Sequence, residues 1–400
     1  MHLQIFGGCR CTGMADPAPL AHQLRRFAYQ SFSVYAGNPY FIDYEQLEQE
    51  GLLTRVDYAG LIWDEDPRRV DYAHIYQYCY DVLHKAYTRF DQSDADYQSF
   101  CRQQEAWLPE YALFMALKNA NGGKPWYLWE KPLAMHEPDA IATAKKLYQD
   151  DIAFYCVMQY WFHKQWYKLK HYCNKRGITI VGDIPIYVAY DSVEVWSQPE
   201  LFQLDDDHVP TAVAGCPPDV FSPSGQLWGN PLYNWNYHKE TNYTWWVQRL
   251  PELQRCMIPS ASTTSVASRA TIRFPMHERR QDRQVDARSG CGTVPHCQGK
   301  AGCALHYRRR SGFVTPEVRQ LLSDCGYPGM KVVQFAFDDD PASTYLPQNY
   351  TTPNCVAYTG THDNMTLRGW VSASRQRPLP LRNATSTAAT PPICLWQCCA

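Results

Sequence analysis

A chain of 400 residues is long enough for a large core, and so for one big α/β barrel or two ordinary domains. Its formal net charge of -2 argues against a polyanion-binding protein, and no apolar run approaches the roughly 20 residues of a membrane span. Sixteen cysteines at irregular spacing, with no signal-peptide core over Met1 to Gln30, read as reduced thiols of a cytoplasmic protein rather than as a disulfide framework.

Met1 to about Ala28 shows no periodicity. Gly60 to Pro138 is largely helical and aromatic in pattern. Ala144 to Arg176 reads as one long amphipathic helix, stopped by Gly177 in the usual C-terminal position. Ile178 to Val188 reads as a buried strand with Asp183 near its end. Cys256 to Ser311 differs in kind: its aromatic residues are Phe274 and Tyr307, and nine Arg and one Lys face Glu278, Asp282 and Asp286. No core face emerges from it, so an irregular or poorly packed segment is expected there. Thr315-Pro316-Glu317 supplies an N-cap, a first-turn Pro and a first-turn acid for a helix ending at Gly326. Lys331 to Phe337 is a further strand, ending at Asp338. Cys355 to Thr359 is another, with His362 and Asp363 just beyond it. Val371 to Ala400 carries three Arg and no acid.

Alternation of strand, loop and helix predicts parallel β/α units. Acids clustered after strand ends suit a (β/α)8 barrel, whose active site lies at the C-terminal face of the strands. On that frame, residues 60–138 are a helical insertion. The Arg-rich block could be a nucleic-acid patch, a basic loop, or out-of-frame translation. Cys291, His296, Cys297, Cys303 and His306 contain no C-x-x-C pair, so no metal site is read from them. There is no phosphate-binding glycine loop, and no cofactor is implied.

Two blocks carry a resemblance. Gly182 to Trp235 contains G-D-I-P-I-Y-V-A-Y-D-S-V-E-V-W and then G-C-P-P-D-V-F-S-P-S-G-Q-L-W-G-N-P-L-Y-N-W, and Thr359 to Trp370 reads T-G-T-H-D-N-M-T-L-R-G-W. Both resemble the amylomaltases, 4-alpha-glucanotransferases that move stretches of α-1,4-glucan between chains. The resemblance implies retaining chemistry with two carboxyl groups about 5–5.5 Å apart, one attacking the anomeric carbon and one serving as acid and base. A third carboxylate, placed by resemblance at Asp363 with His362 beside it, would hold the sugar hydroxyls and strengthen its bonds in the transition state. The donor and acceptor cleft would draw on Asp183, Asp219, Phe221, Gln226, Trp228 and Asn230. Phe221 and Trp228 would stack on glucose and the polar groups would bond to hydroxyls. For Trp228 alone, ordinary core packing is the rival role. Tyr29 matches the Tyr of the family's P-Y-Q-S-F, with Ala28 in the place of Pro.

The resemblance vanishes where the nucleophile and the acid/base belong. Reading codons across Met257 to Ser268 with the last base of each and the first two of the next can spell D-x-L-R-I-D-H-F-R-G-F, the nucleophile motif. The opposite shift over His306 to Gly312 can spell I-I-A-E-D-L-G, the acid/base motif. A shift from Met14 to Phe27 can spell W-Q-I-L-P-L-x-P-T-x-F-G-D-S, running into Tyr29. In the chain as it stands, the nucleophile position falls at Ser262/Thr263 and the acid/base position at Arg309/Arg310. Neither pair has a carboxylate, and arginine cannot donate a proton at neutral pH.

The sequence therefore predicts one glucanotransferase domain over residues 1–400, with 1–28, 256–311 and 371–400 out of frame. Its fold would be a (β/α)8 TIM-type barrel disrupted in one central unit and at the C-terminus. Its ligands would be α-1,4-glucans and malto-oligosaccharides, with no nucleic acid and no membrane partner. The chain would be a 4-alpha-glucanotransferase inactive as written, or alternatively a catalytically dead α-glucan-binding remnant or pseudogene product.

Overall fold

The computed structural model describes residues 31–61, 72–178, 180–183, 187–216, 226–249, 258–261, 270–275, 284–287, 329–337, 343–360 and 364–375.

The N-terminal part is a helical layer. Its helices are α1 (Tyr44–Gln49), α2 (Tyr72–Tyr87), α3 (Ala95–Gln103), α4 (Leu108–Ala120), α5 (Lys131–Ala134), α6 (Pro138–Leu147) and α7 (Gln149–Asn174). Local sequence explains many of their ends. Asp43 and Asp94 cap α1 and α3 by accepting from the backbone N–H groups of Glu45 and Tyr97 at 2.9 and 2.8 Å. Proline opens α4, α5 and α6, where a missing N–H costs nothing. At the far end of α7, Gly177 takes φ +72° and the Ile178 N–H closes onto the Cys173 carbonyl, so the glycine stop predicted there is the one used.

The long helix predicted over 144–176 is two helices. Tyr148 stands between them at φ -106°, ψ 28°, accepting from Ile152 N–H while its own N–H still donates to Ala144 O. Lys145 and Lys146 close α6, and Asp150 and Asp151 open α7. Each charge pair suits the dipole of its own helix. The apolar stripe runs through the junction unbroken, which is why periodicity alone joined the two.

The core lies where α4 packs on α7. Leu108 and every residue from Tyr111 to Lys118 are buried on α4, opposite Phe154, Val157, Met158, Trp161 and Phe162 of α7. Burial of this much apolar and aromatic surface is the main source of stability for the layer. The segment 31–42 docks onto α7 through Gly37. Gln159 accepts from Gly37 N–H at 2.8 Å and donates to Gly37 O at 3.0 Å, with Phe162 packed where a side chain on residue 37 would lie.

The strands form three sheets. β1 (Val181–Asp183) pairs in parallel with β4 (Ile258–Ala261), and β7 (Gly329–Val332) in parallel with β8 (Cys355–Tyr358). The third sheet is antiparallel, in the order β3 (Gln226–Pro231), β2 (Ala212–Cys216), β5 (Ala270–Pro275), β6 (Gln284–Ala287). Two short helices, α8 (Val193–Ser197) and α9 (Trp235–Glu240), flank β2 and β3 in sequence, and α10 (Leu367–Arg375) follows β8.

Several expectations are corrected here. The block 256–311, expected to be irregular or poorly packed, contributes strands β4, β5 and β6. Of the strand predicted over 178–188, the described residues show Val181–Asp183, and the strand predicted over 331–337 ends at Val332 and continues as a 3-10 turn, Val333–Ala336. Parallel pairs occur as predicted, but among the described residues they do not close into a barrel, and an antiparallel sheet stands beside them. The helix predicted over 315–326 lies outside the described residues. Among the described residues, no helix is long and apolar enough to cross a membrane.

Candidate active site

Asp183 is the last residue of β1, at the C-terminal end of a parallel strand as predicted. Its register partner is Ala261, the last residue of β4, after a shift in pairing between Gly182 and Asp183. Parallel strands end on the same side of a sheet, so Asp183 is neighbour to the point where the chain leaves β4. The next two residues in sequence are Ser262 and Thr263, the position at which the resemblance requires a nucleophilic carboxylate. They lie outside the described residues, and so do Arg309 and Arg310.

The chain beyond β1 is held from several sides. Asn230, on β3 and buried, donates its side-chain amide to Val188 O at 2.9 Å. Trp126 donates its indole N–H to Tyr190 O at 2.7 Å. Lys118 donates to both carboxylate oxygens of Asp191, at 2.9 and 2.7 Å. Ser192 donates to Ala189 O at 2.6 Å. Glu194 then ties α8 to the segment after Tyr29: its Oε1 accepts from Ser33 Oγ and from Val34 N–H, each at 2.8 Å. Burial pushes the Glu194 carboxyl up, and these two bonds pull it back only in part.

Trp228 sits in mid-strand on β3, not at the end of a parallel strand. It is half-buried against Ala212, Ala214 and Leu232, and its ring lies 6.1 Å from Tyr187, four residues beyond Asp183. Thus Trp228 and Asn230 both meet the segment leading away from Asp183. Asn230 spends its amide on the backbone, so here it holds the segment in place. Gln226 begins β3 opposite Cys216, the end of β2. Asp219 and Phe221 belong to the connection between those paired ends, outside the described residues, and the Asp183 and Gln226 side chains are outside them too. Tyr29, His362 and Asp363 also lie outside. The flanks of the last two are described: Gln334 donates its backbone N–H to Thr359 O at 3.3 Å and its Nε2 to Met365 O at 3.0 Å.

Sequence reasoning missed Lys118, Asp191, Glu194 and Gln334. Asp191 and Glu194 were legible as acids within D-S-V-E-V-W, but nothing local names their partners, which lie 73 and 161 residues away. Among the described residues, no group of three or more His, Cys, Asp or Glu could hold a metal ion. The Cys and His residues between 291 and 306 are outside them.

Comparison with known proteins fits this geometry. The family profile of the 4-alpha-glucanotransferases matches residues 14–257 and 311–391, leaving out the interval between. The 4-alpha-glucanotransferase of Clostridium butyricum is 38% identical over 358 residues, covering 86% of this chain and 71% of the relative. That of Thermus thermophilus is 40% identical over 368 residues, covering 86% and 69%. Among solved structures, the amylomaltase from Streptococcus agalactiae in complex with acarbose superposes with a TM-score of 0.82 at 37% identity, covering 86% of this chain and 71% of that one. The amylomaltase from Corynebacterium glutamicum, at 17% identity and a TM-score of 0.67 over 91% of this chain and 50% of that one, shares the fold. With most of its length matched and both motif blocks inside the match, this chain belongs to the 4-alpha-glucanotransferase family.

Proposed function

We propose that this chain retains the α-1,4-glucan cleft of its family but not the chemistry, and binds malto-oligosaccharides without transferring them. The observation that carries this reading is the interruption of the family match at 258–310. That interval contains both positions, Ser262/Thr263 and Arg309/Arg310, where a nucleophile and an acid/base are needed.

In the family reaction a carboxylate attacks the anomeric carbon and a second carboxyl group protonates the departing oxygen. The same group then deprotonates the hydroxyl of an acceptor sugar, which takes the glucosyl unit from the enzyme. Here neither partner is present. Serine and threonine hydroxyls are weak nucleophiles without an adjacent base. An arginine pair keeps its protons and would repel an oxocarbenium-like centre. Asp183, Asp219 and Gln226 would position glucose hydroxyls, with Asn230 holding the segment beyond β1 in place; Phe221, Trp228 and Tyr29 would pack on ring faces, and His362 and Asp363 would bind the sugar at the reacting position. Positioning alone yields no covalent intermediate.

Purified chain mixed with maltotriose should release no glucose and form no longer oligomers. It should still bind maltoheptaose in a calorimetric titration. Clear disproportionation would show that another carboxylate, such as Asp282 or Asp286, has taken over. A chain with the motifs restored by single-base shifts should be active in the same assay, and Asp363→Asn in that background should lose most of the rate.

A further inference from the structure

Four stretches of chain, far apart in sequence, meet around a cleft of about 360 Å³, and the resemblance assigns none of its lining residues to glucan. They are residues 33–35, the α3–α4 junction at 103–110, α8 with its C-cap Gln198, and residues 245–248. The volume falls at the small end of ligand pockets, which run from about 300 to 1,000 Å³. Tyr35 and Trp107 both line it, their rings stacked at 6.1 Å and 20°. Gln104 is buried and accepts from the Trp107 indole N–H at 2.8 Å, which ties the two side chains together. Trp245 lines the cleft too, with the Arg249 guanidinium 5.1 Å from its ring centroid. Gln103 and Gln104 also line a more open cleft of about 600 Å³ with Phe100 and Tyr167, so the two share a wall.

The chemistry of the lining selects the ligand. Among the described residues that line the cleft there is no Lys, Arg or His, so an anion would meet no countercharge there. Gln103, Gln104, Gln198 and Gln248 bring amides, which both donate and accept. Glu110 is already matched by Lys145 at 2.8 Å and His136 at 3.2 Å. Two buried atoms of lining residues have no hydrogen-bond partner among the described residues: Glu194 Oε2, an acceptor, and Trp245 Nε1–H, a donor. Buried polar atoms seldom stay unpaired. A hydroxyl donates to the first and accepts from the second, whereas an ammonium suits only the carboxylate and an anion only the indole. A sugar ring carries hydroxyls on its edge and C–H groups on its faces, and the faces suit an aromatic wall.

We propose that this cleft is a second carbohydrate site, which takes one or two pyranose units of a neutral sugar. Tyr35, half-buried, supplies a ring for the sugar to lie against, and the amides with Glu194 and Trp245 supply the hydroxyl contacts. The site is separate from the cleft read at β1 and β3 and does not depend on it.

The test titrates maltose into the full chain by calorimetry, where a Kd on the order of 1 mM is expected for so small a ligand. Ser197 is half-buried, lines the cleft and spends its hydroxyl on Val193 O at 2.8 Å within its own helix, so Ser197→Phe sets a ring in the cleft. Gln198→Leu combined with Gln248→Leu removes two amides from half-buried and exposed positions, where the fold asks little of them. Each variant should weaken maltose binding about ten-fold or more with the melting temperature unchanged. Trp228→Ala, in the other cleft, should leave a maltose site of unchanged affinity. Absence of maltose binding by the unaltered chain would overturn the proposal, and so would loss of that binding in Trp228→Ala. Affinity kept in the Gln198 and Gln248 double variant would overturn it as well, and that variant decides the matter if Ser197→Phe does not fold. Maltose binding that follows the proposal, together with maltoheptaose binding indifferent to Trp228→Ala, would sink the reading of the β1 and β3 cleft and leave this one standing.

Discussion

The ion pair between Lys118 and Asp191 gives a sharp test of how the helical layer holds the segment after β1. The Lys118 side chain is 5% exposed and that of Asp191 is 16% exposed, with Nζ 2.7 Å from Oδ2. Removing one partner of such a pair strands the other charge, at a cost of roughly 3–5 kcal/mol when both are buried. In Asp191→Ala the stranded group is the more deeply buried ammonium. It keeps a bond to Lys124 O at 3.2 Å and lies 4.6 Å from the Phe32 ring centroid and 5.7 Å from that of Phe114. These contacts offset part of the loss, and a cost of about 3 kcal/mol is expected. In Lys118→Met the stranded carboxylate is closer to water and still accepts from Trp126 N–H at 3.3 Å, so about 1–2 kcal/mol is expected. Replacing both, as Lys118→Met with Asp191→Leu, should bring the total to within about 1 kcal/mol of the unaltered chain, because no charge is then left buried. Urea unfolding followed by tryptophan fluorescence measures all three, and Asp191→Ala should lower the midpoint by about 1–2 M. Equal costs below about 1 kcal/mol for the two single replacements would refute the argument, since they would mean the pair is solvated like a surface bridge.

Three further outcomes are expected. Gly37→Ala should destabilise by about 3 kcal/mol in the same urea assay, because its Cβ would overlap the Phe162 ring and push Gln159 off the Gly37 peptide; Phe162→Leu in that background should recover part of the loss. His163 and His238 are driven down to about 4 by burial, only partly countered by N–H donation to Gln159 O and Leu201 O. Their folded values lie below the unfolded 6.5, so the unfolded chain takes up protons first. That stability is present above about pH 6.5 and falls as the pH drops toward 4, by about 2 kcal/mol per histidine at pH 5. Melting temperatures that rise between pH 6.5 and 4.5 would contradict this. Finally, the coding DNA reread with single-base shifts near Ala28, Arg255 and Ser311 should encode R-I-D-H-F-R-G-F and A-E-D-L-G, and codons incompatible with those residues would defeat the out-of-frame reading.

The sequence by itself determined the family, because its signature is carried by short, dense motifs such as G-D-I-P, G-Q-L-W-G-N-P-L-Y and T-G-T-H-D-N, which need no fold to be read. It also determined the local punctuation of the chain. Gly177 ends α7 because a left-handed residue closes the helix onto Cys173, and that requirement is written in a single residue. The strand that leads into Asp183 was legible too, because Ile178 to Val181 is a β-branched run.

Tertiary structure decided what depends on distant partners. The 26-residue α7 is separate from α6 because packing turns the chain at Tyr148, and the apolar period carries no mark of that turn. Trp228 and Asn230 lie on an antiparallel strand because β3 folds back on β2, an arrangement that alternating strands and helices do not announce. Asn230, read as a ligand for sugar hydroxyls, gives its amide to Val188 O, 42 residues away in sequence. Lys118, Glu194 and Gln334 become meaningful only when their acceptors and donors arrive from elsewhere in the chain. A buried polar group must find a partner, but the sequence states only that it is polar, and the fold supplies the partner.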